Sequence, residues 1–437
     1  MGERMEKRPT WRTWAISIIA AIVLSMIARF CFAQEAPRSA SFYIEAALSK
    51  NPSLAAMRER IRMKENAAIR AGALDNPKAW ISVSNVPVRN WSFREEDMTG
   101  KEVGISQMFP YPGKRAHLVQ LGLFEKEQTE HDLEEMRNML RAEIKMAYAE
   151  LNSVRKQAEV VRRTRDVLKD IVGVTQEMYA VGKGSQADVL RGQVESGKMR
   201  EMLLMIENRE RILSVRLNTL AALPAGETVP PFDELREFPV SASEGNLIAI
   251  YKEVRPARKS LQAKVRKGEV GIAHAEHESK PDFEVSLSYM QRDPMPDGTR
   301  RSDMFTGMLS MTLPVWKKEK IDPGIREAKA EREMAASELE NLDLEASNAI
   351  GAGLSSMENR ASVAVLYRTT LIPQAEQALD ANLEAYRVGK IDFPMLMDSV
   401  MAVLSYRKTY EGMVGELHME KAKLEAAVGR ELEGGER

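Results

Sequence analysis

Apolar residues recur every seven positions through Leu133, Leu140, Ala147, Val154, Val161 and Leu168. Ile144, Leu151, Ala158 and Val172 form a second, partial ladder that Arg165 interrupts. Seven-residue spacing sustained this long is the signature of coiled-coil packing, and it predicts one helix over 114–180. At ~1.5 Å of rise per residue that helix is a rod on the order of 100 Å, far longer than a globular domain uses. Elsewhere the period drops to two. Phe283, Val285, Leu287 and Tyr289 share one face, with Asp282, Glu284, Ser286 and Ser288 on the other. Phe305, Leu309, Met311 and Leu313 likewise stand opposite Thr306, Ser310 and Thr312. This alternation predicts strands over 282–291 and 303–313. A fainter pair is predicted over 79–87 and 102–109, where Ile81, Val83, Val103 and Ile105 are apolar but Trp80 and Met108 fall on the other side. Strands of ~9–11 residues with one apolar face suit a transmembrane barrel, although a soluble half-buried hairpin gives the same pattern. Four strands cannot close a barrel wide enough to conduct, so a barrel requires several chains.

The pattern occurs twice. Pro52 and Pro256, Pro77 and Pro281, and Pro110 and Pro314 are each 204 residues apart. At that offset Ile81–Asn85 (ISVSN) matches Val285–Tyr289 (VSLSY), and further on Tyr179–Lys183 (YAVGK) matches Tyr386–Lys390 (YRVGK). Markers that keep order and register imply a tandem duplication. The expected organisation is a first repeat over 34–223, a Pro-rich linker over 224–242, a second repeat over 243–430 and a disordered tail over 431–437. Each repeat reads as a helix (42–72; 243–277), two strands, a very long helix (114–180; 318–387), a tight turn and a returning helix (186–221; 394–430).

Lys7, Arg8 and Arg12 precede the apolar run Ala15–Ala28, and Cys31-Phe32-Ala33 supplies small residues around a cleavage position, so residues 1–33 read as a secretory signal. A membrane anchor is the rival reading, but the strictly apolar part is shorter than the ~20 residues a spanning helix needs. Phe30 stands where a lipid-attachment signal wants a small residue. Cys31 is the only cysteine, so cleavage after Ala33 leaves no disulfide or thiol chemistry. A net charge of −1 gives no footprint for nucleic acid. Aromatic residues are only 6% against 29% charged, a composition of long solvated helices. Neither a phosphate-binding Gly-rich loop nor a nucleophile elbow is present, so no enzyme and no cofactor are expected. His274-x-x-His277 offers two imidazoles on one helix face, too few for a metal site without a third ligand. The 26 methionines read as helix-forming core fillers.

The two turns carry clear punctuation. Gly182 and Gly389 fit the left-handed position just past a helix end. Ser185 with Asp188 forms a capping-box pattern. Asp392 followed by Pro394 starts the other return helix, with proline in the first turn.

The duplicated helix–strand–strand–long helix plan resembles the TolC family of outer-membrane factors, in particular its heavy-metal branch of the CzcC and CusC type. Asn76-Pro77, the run Gly104–Pro110 (GISQMFP) leading into Gly113-Lys114-Arg115, and the paired Tyr-x-x-Gly tips carry the likeness. It spans essentially the whole chain after Ala33. The departures are the less regular first strand pair and the methionines near the second tip. The resemblance implies a mainly α fold with a small β part: two coiled-coil hairpins plus four strands that contribute to a trimeric, twelve-stranded barrel. It implies a passive channel in the outer membrane of a Gram-negative bacterium, extending into the periplasm and surrounded by lipid. Its implied partners are a periplasmic adaptor (membrane fusion protein) and an inner-membrane pump of the RND type. Type I protein secretion uses the same fold, and a periplasmic coiled-coil adaptor is the alternative from another class. The resemblance further implies that Tyr179, Gly182, Lys183, Tyr386, Gly389 and Lys390 face the adaptor. It puts Asp398 at the tunnel constriction, where threefold symmetry would make a carboxylate ring that selects cations and responds to pH.

Overall fold

The computed structural model describes residues 38–432. The expected leader over 1–33, and residues 433–437 of the expected tail, lie outside the described residues.

The chain opens with α1 (Ala40–Lys50) and α2 (Pro52–Ala71) where one helix over 42–72 was expected. Asn51 is extended between them, and its side chain accepts the Ser53 N–H. A proline has no N–H to give and pushes the residue before it out of the helical region, so Pro52 starts a new helix. The second repeat breaks alike: α5 (Glu244–Val254) and α6 (Pro256–His277) meet at the extended Arg255.

Between these pairs come β1 (Lys78–Ser84), β2 (Gly100–Phe109), the 67-residue α3 (Lys114–Ala180) and α4 (Gln186–Leu220). β3 (Phe283–Gln291) and β4 (Met304–Met311) follow α6. The second long element is not the single helix expected over 318–387. It consists of a π-helical turn at Lys317–Ile321, α7 (Asp322–Leu366), a second π turn at Tyr367–Leu371, and α8 (Ile372–Arg387); α9 (Phe393–Val428) then returns. Each π turn sits directly before a proline in the next first turn, Pro323 or Pro373. A widened turn absorbs the clash that a proline ring makes with the preceding carbonyls.

Both ladders of α3 are buried at Leu133, Leu140, Ala147, Val161 and Leu168, and at Ile144, Leu151 and Ala158. Arg165, the interruption, points to solvent and pairs with Asp166. α3 packs against α4 of its own hairpin and against α9 of the other, which sets the two hairpins side by side. One apolar cluster joins Tyr43, Leu54, Ile144 and Leu217. A second, toward the hairpin ends, joins Val161, Leu168, Met199, Tyr386, Phe393 and Leu404. A third joins Leu247, Tyr251, Ile350 and Leu417. Each fully buried large side chain contributes about 1.5–3 kcal/mol over its exposed state.

The linker after α4 crosses all this without secondary structure. Arg155 donates to the Pro230 and Val229 carbonyls at 2.7 Å each, and Asn152 donates to the Asp233 carbonyl at 2.8 Å. The His418 ring lies 2.9 Å from the Arg236 carbonyl. Val229 and Phe232 enter the first cluster, and Phe238 and Val240 enter the third. Burial pushes the Glu237 carboxyl up, but hydrogen bonds from Tyr410 and Arg368 overcome it and hold the group below the usual carboxylate range.

Candidate functional site: the strand wall and the hairpin tips

The four strands form one antiparallel sheet in the order β1-β2-β3-β4. Its seam between repeats pairs β2 with β3, placing Val103 opposite Tyr289, Ile105 opposite Leu287 and Phe109 opposite Phe283. The apolar face is the bare one. Ile81 is 85% exposed and Phe305 72%, whereas Ser286 and Ser288 on the opposite face are 5% and 8% exposed. A hairpin folded for water hides its apolar face; this sheet leaves it bare and keeps its serines covered, as a strand wall against lipid does. The irregular first pair is explained by packing: the Trp80 ring lies over Gly104 on the inner face, where a Cβ would be 2.2 Å from the ring. The loops at the far end of the strands are tied together. Arg301 donates to the Asp293 and Phe93 carbonyls, and Arg94 to the Pro294 carbonyl.

At the near end the wall is locked to the helices. Lys114, one of the few buried charges, lies 3.0 Å from Asp282 and 3.5 Å from Glu278. Beside it the His277 ring meets the His117 ring edge-on at 4.7 Å between centroids, and its Nδ1 lies 2.9 Å from the Ala273 carbonyl. Burial lowers the His274 pKa, against the opposing pull of Glu278. The third imidazole that the sequence motif lacked is thus nearby, contributed from a distant part of the chain. Among the described residues, however, no group of three His, Cys, Asp or Glu is arranged to hold a metal.

The opposite ends of the hairpins are two copies of one backbone motif. Gly182 has φ +75° and Gly389 φ +71°, the left-handed region that favours glycine. Gly182 N–H donates to the Tyr179 carbonyl and Lys183 N–H to the Met178 carbonyl; Gly389 and Lys390 do the same to Tyr386 and Ala385. This paired arrangement is the Schellman motif, which satisfies helix carbonyls that would otherwise lack partners. Ser185 and Asp188 form the capping box in both directions, and Asp392 accepts the Met395 N–H at 3.1 Å. Around Gly182 and Gly389 the space a Cβ would occupy is open. Tyr179, Lys183 and Lys390 are exposed, as docking residues must be.

Tyr386 departs from that expectation. It is 5% exposed, edge-on to Phe393 at 5.9 Å, and burial raises its pKa. In α8 its position turns inward to the cluster shared with α3 and α9, so it anchors the tip and cannot touch a partner from there. Val181 and Val388, which sequence reading did not single out, are 67% and 66% exposed and cap the two apices. Their signal was the position between the Tyr and Gly that recur at both tips, where an apolar side chain has no helix neighbour left to cover it. Asp398 is exposed on α9, with the buried Met397 and Val400 facing the other way.

Residues 43–222 match the family described as Outer membrane efflux protein. The chain is 24% identical over 419 residues to the cobalt-zinc-cadmium resistance protein CzcC of Cupriavidus metallidurans, covering 90% of this chain and 92% of the relative. Among solved structures, CusC superposes with a TM-score of 0.76 at 12% identity, over 90% of this chain and 92% of that one. The outer membrane protein VceC of Vibrio cholerae gives 0.75 at 20% identity, over 90% and 96%. The structural likenesses establish the fold, and the sequence matches agree with it along the chain. Residues 43–222 thus carry the sequence pattern of an outer membrane efflux protein, and the whole described chain has the fold of the outer-membrane channels CusC and VceC.

Proposed function

We infer that this chain is the outer-membrane duct of a tripartite efflux system, assembled from three copies that share one barrel and one helical tunnel. The observation that carries this reading is the sheet with its apolar face turned outward and both edges, β1 and β4, unpaired, joined to a helix of 67 residues. Among the described residues no helix is long and apolar enough to cross a membrane. The duct is passive and performs no chemistry of its own; its partners, an adaptor and an RND-type pump, supply energy and choose the cargo. The name of the relative CzcC supports divalent metal cations as that cargo. The adaptor meets the tips at Tyr179, Val181, Gly182 and Lys183, and at Val388, Gly389 and Lys390. Asp398, repeated three times around the axis, forms the constriction and favours cations.

Detergent-extracted protein is expected to have the mass of three chains and to form conducting channels in planar bilayers. A monomer that stays in solution without detergent overturns the reading. For the cargo, a deletion strain is expected to lose resistance to cobalt, zinc or cadmium salts and to regain it with the plasmid-borne gene.

A further inference from the structure

Three of the five histidines converge on one place: His117 from the first turn of α3, and His274 and His277 from the last turn of α6. They surround the joint that fixes the strand wall to the long helices. There Asp282 accepts the Tyr111 N–H at 2.8 Å and lies 3.0 Å from the Lys114 ammonium, while Arg115 donates to the Gly72 carbonyl at 2.8 Å. Lys114, His117, His277 and Glu278 are all close enough to act on the charge of His274. In the first repeat the positions 204 residues before His274 and His277 hold Arg70 and Ala73, so the imidazole pair on α6 has no copy on α2.

Each ring is poorly placed to carry a charge. The Ala273 carbonyl can only accept, so His277 Nδ1, 2.9 Å from it, bears the hydrogen and Nε2 is the atom left to take up a proton. That Nε2 faces the Gly113 turn, where a Cβ would lie 3.4 Å away, at the N-terminus of α3. The end of α6 favours a positive charge on His277 and the start of α3 disfavours it, so the two helix dipoles oppose each other at this ring. His117 stands at the positive end of α3 beside the buried Lys114, and meets His277 edge-on at 4.7 Å. His274 Nδ1 is buried without a hydrogen-bond partner. Burial lowers the His274 pKa below its ordinary value of 6.5, and Lys114, His117 and His277 push the same way. Glu278 is the acid whose charge reaches His274, and it is shared with Lys114 at 3.5 Å. The other charged groups nearby are Glu276 and Lys280 beside it, Arg70 on α2, and Asp322, Arg326 and Glu327 on α7, which packs along α6; all but the half-buried Asp322 are exposed.

We propose that these three imidazoles make the joint between the strand wall and the helices acid-sensitive: closed while they are neutral, loosened once they take up protons. A first proton competes with Lys114 for Glu278. A second sets two cations edge to edge beside a lysine that is already buried. Charging His274 requires that it reach water. A histidine whose folded pKa lies below its unfolded one contributes its full stability above the unfolded value, and loses it as the pH falls through that value toward the lowered one. The joint is therefore complete above about pH 6.5 and weakens below it. What gives way is the hold of Lys114 on Asp282 and Glu278, and with it the set of α3 and α6 against the sheet; the hairpin tips are untouched. The inference concerns a joint within one chain and stands apart from the channel reading.

The test follows hydrogen exchange of the full-length protein in detergent at pH 7.5 and pH 5.5, corrected for the intrinsic pH dependence of amide exchange. Protection over residues 111–117 and 278–282 is expected to fall on acidification, by about tenfold where one imidazole governs the opening. Amides in the middle of α3, around Leu151, should keep theirs. His274→Leu, which fills the space and cannot charge, combined with His117→Gln is expected to remove most of the fall. A wild type equally protected at both pH values, or a double variant that loses as much as the wild type, overturns the proposal. A second readout needs no substitution: in wild-type protein with carbon-labelled histidine, at least one ring signal should change over the same pH interval as the protection. Rings that titrate while the protection of the joint stays constant also overturn it.

Discussion

The two hairpin tips have the same backbone and opposite anchoring. Both turn through a left-handed glycine with the same pair of hydrogen bonds, and both restart with a side-chain cap. Yet Tyr179 stands half exposed at the first tip while Tyr386, its counterpart, is packed on Phe393 at the second. The second tip is thus stapled into the cluster shared with α3, and the first keeps its aromatic ring for the outside. Duplication preserved what the backbone needs, because a helix end has the same unsatisfied groups wherever it lies. Side chains were free to diverge, because each tip meets different neighbours.

The sharpest test of this asymmetry is Phe393→Ala. It removes a ring that is 1% exposed and is expected to destabilise the second hairpin by about 3–5 kcal/mol. Tyr179→Ala should leave denaturant unfolding unchanged while weakening adaptor cross-linking. Equal losses from the two would erase the distinction between anchor and contact.

Next in size are Gly182→Val and Gly389→Val. With no atom in the way of a Cβ, the cost is left-handed strain alone, about 1–2 kcal/mol each. Thermal melts should move alike for the two, since the backbone motif is common to them. Adaptor cross-linking should fall while barrel insertion persists; a clear difference in melting would mean that the tips are not equivalent even in their backbone.

Ser185→Ala and Asp392→Ala each remove a cap and should cost about 1 kcal/mol. Hydrogen exchange localised to the first turns of α4 and α9 would register the loss. Uniform exchange across both hairpins would show that the caps do not act locally.

Asp398→Asn should have the smallest effect on stability and the most specific one on conduction. Its side chain is exposed, so melting should stay unchanged. Cation selectivity and block by multivalent cations from the periplasmic side should fall. Wild-type selectivity in single-channel recordings would remove Asp398 from the constriction.

Much of this molecule was legible in its sequence. α3 was predicted over its observed residues because a sustained heptad ladder marks its body and Gly182 its end. The breaks at Pro52 and Pro256 were missed, since helical patterning runs on both sides of a single extended residue. The π turns were hidden for a similar reason: each adds a residue to one turn, which blurs a period without ending it. Strand positions were clear, but alternation cannot say which face turns outward; only the burial of Ser286 and Ser288 opposite the bare Ile81 and Phe305 does. Tyr179 and Tyr386 looked alike because the motif is local, whereas burial of Tyr386 depends on Phe393 and on α3. His117 was unconnected to His274 and His277 until α3 and α6 came together.

The linker between the repeats has one more implication, for how its sequence can vary. Arg155, Asn152 and His418 all reach it at backbone carbonyls, those of Val229, Pro230, Asp233 and Arg236. Every residue type carries that carbonyl, so the hairpins read the path of this segment and largely ignore its letters. Glu227 and Glu237 are exceptions: Arg38 holds the first carboxylate at 2.8 Å, and Tyr410 and Arg368 grip the second. Related chains are therefore expected to drift freely along this stretch in all but its apolar plugs and those two acids, keeping its length and course while its identity is rewritten.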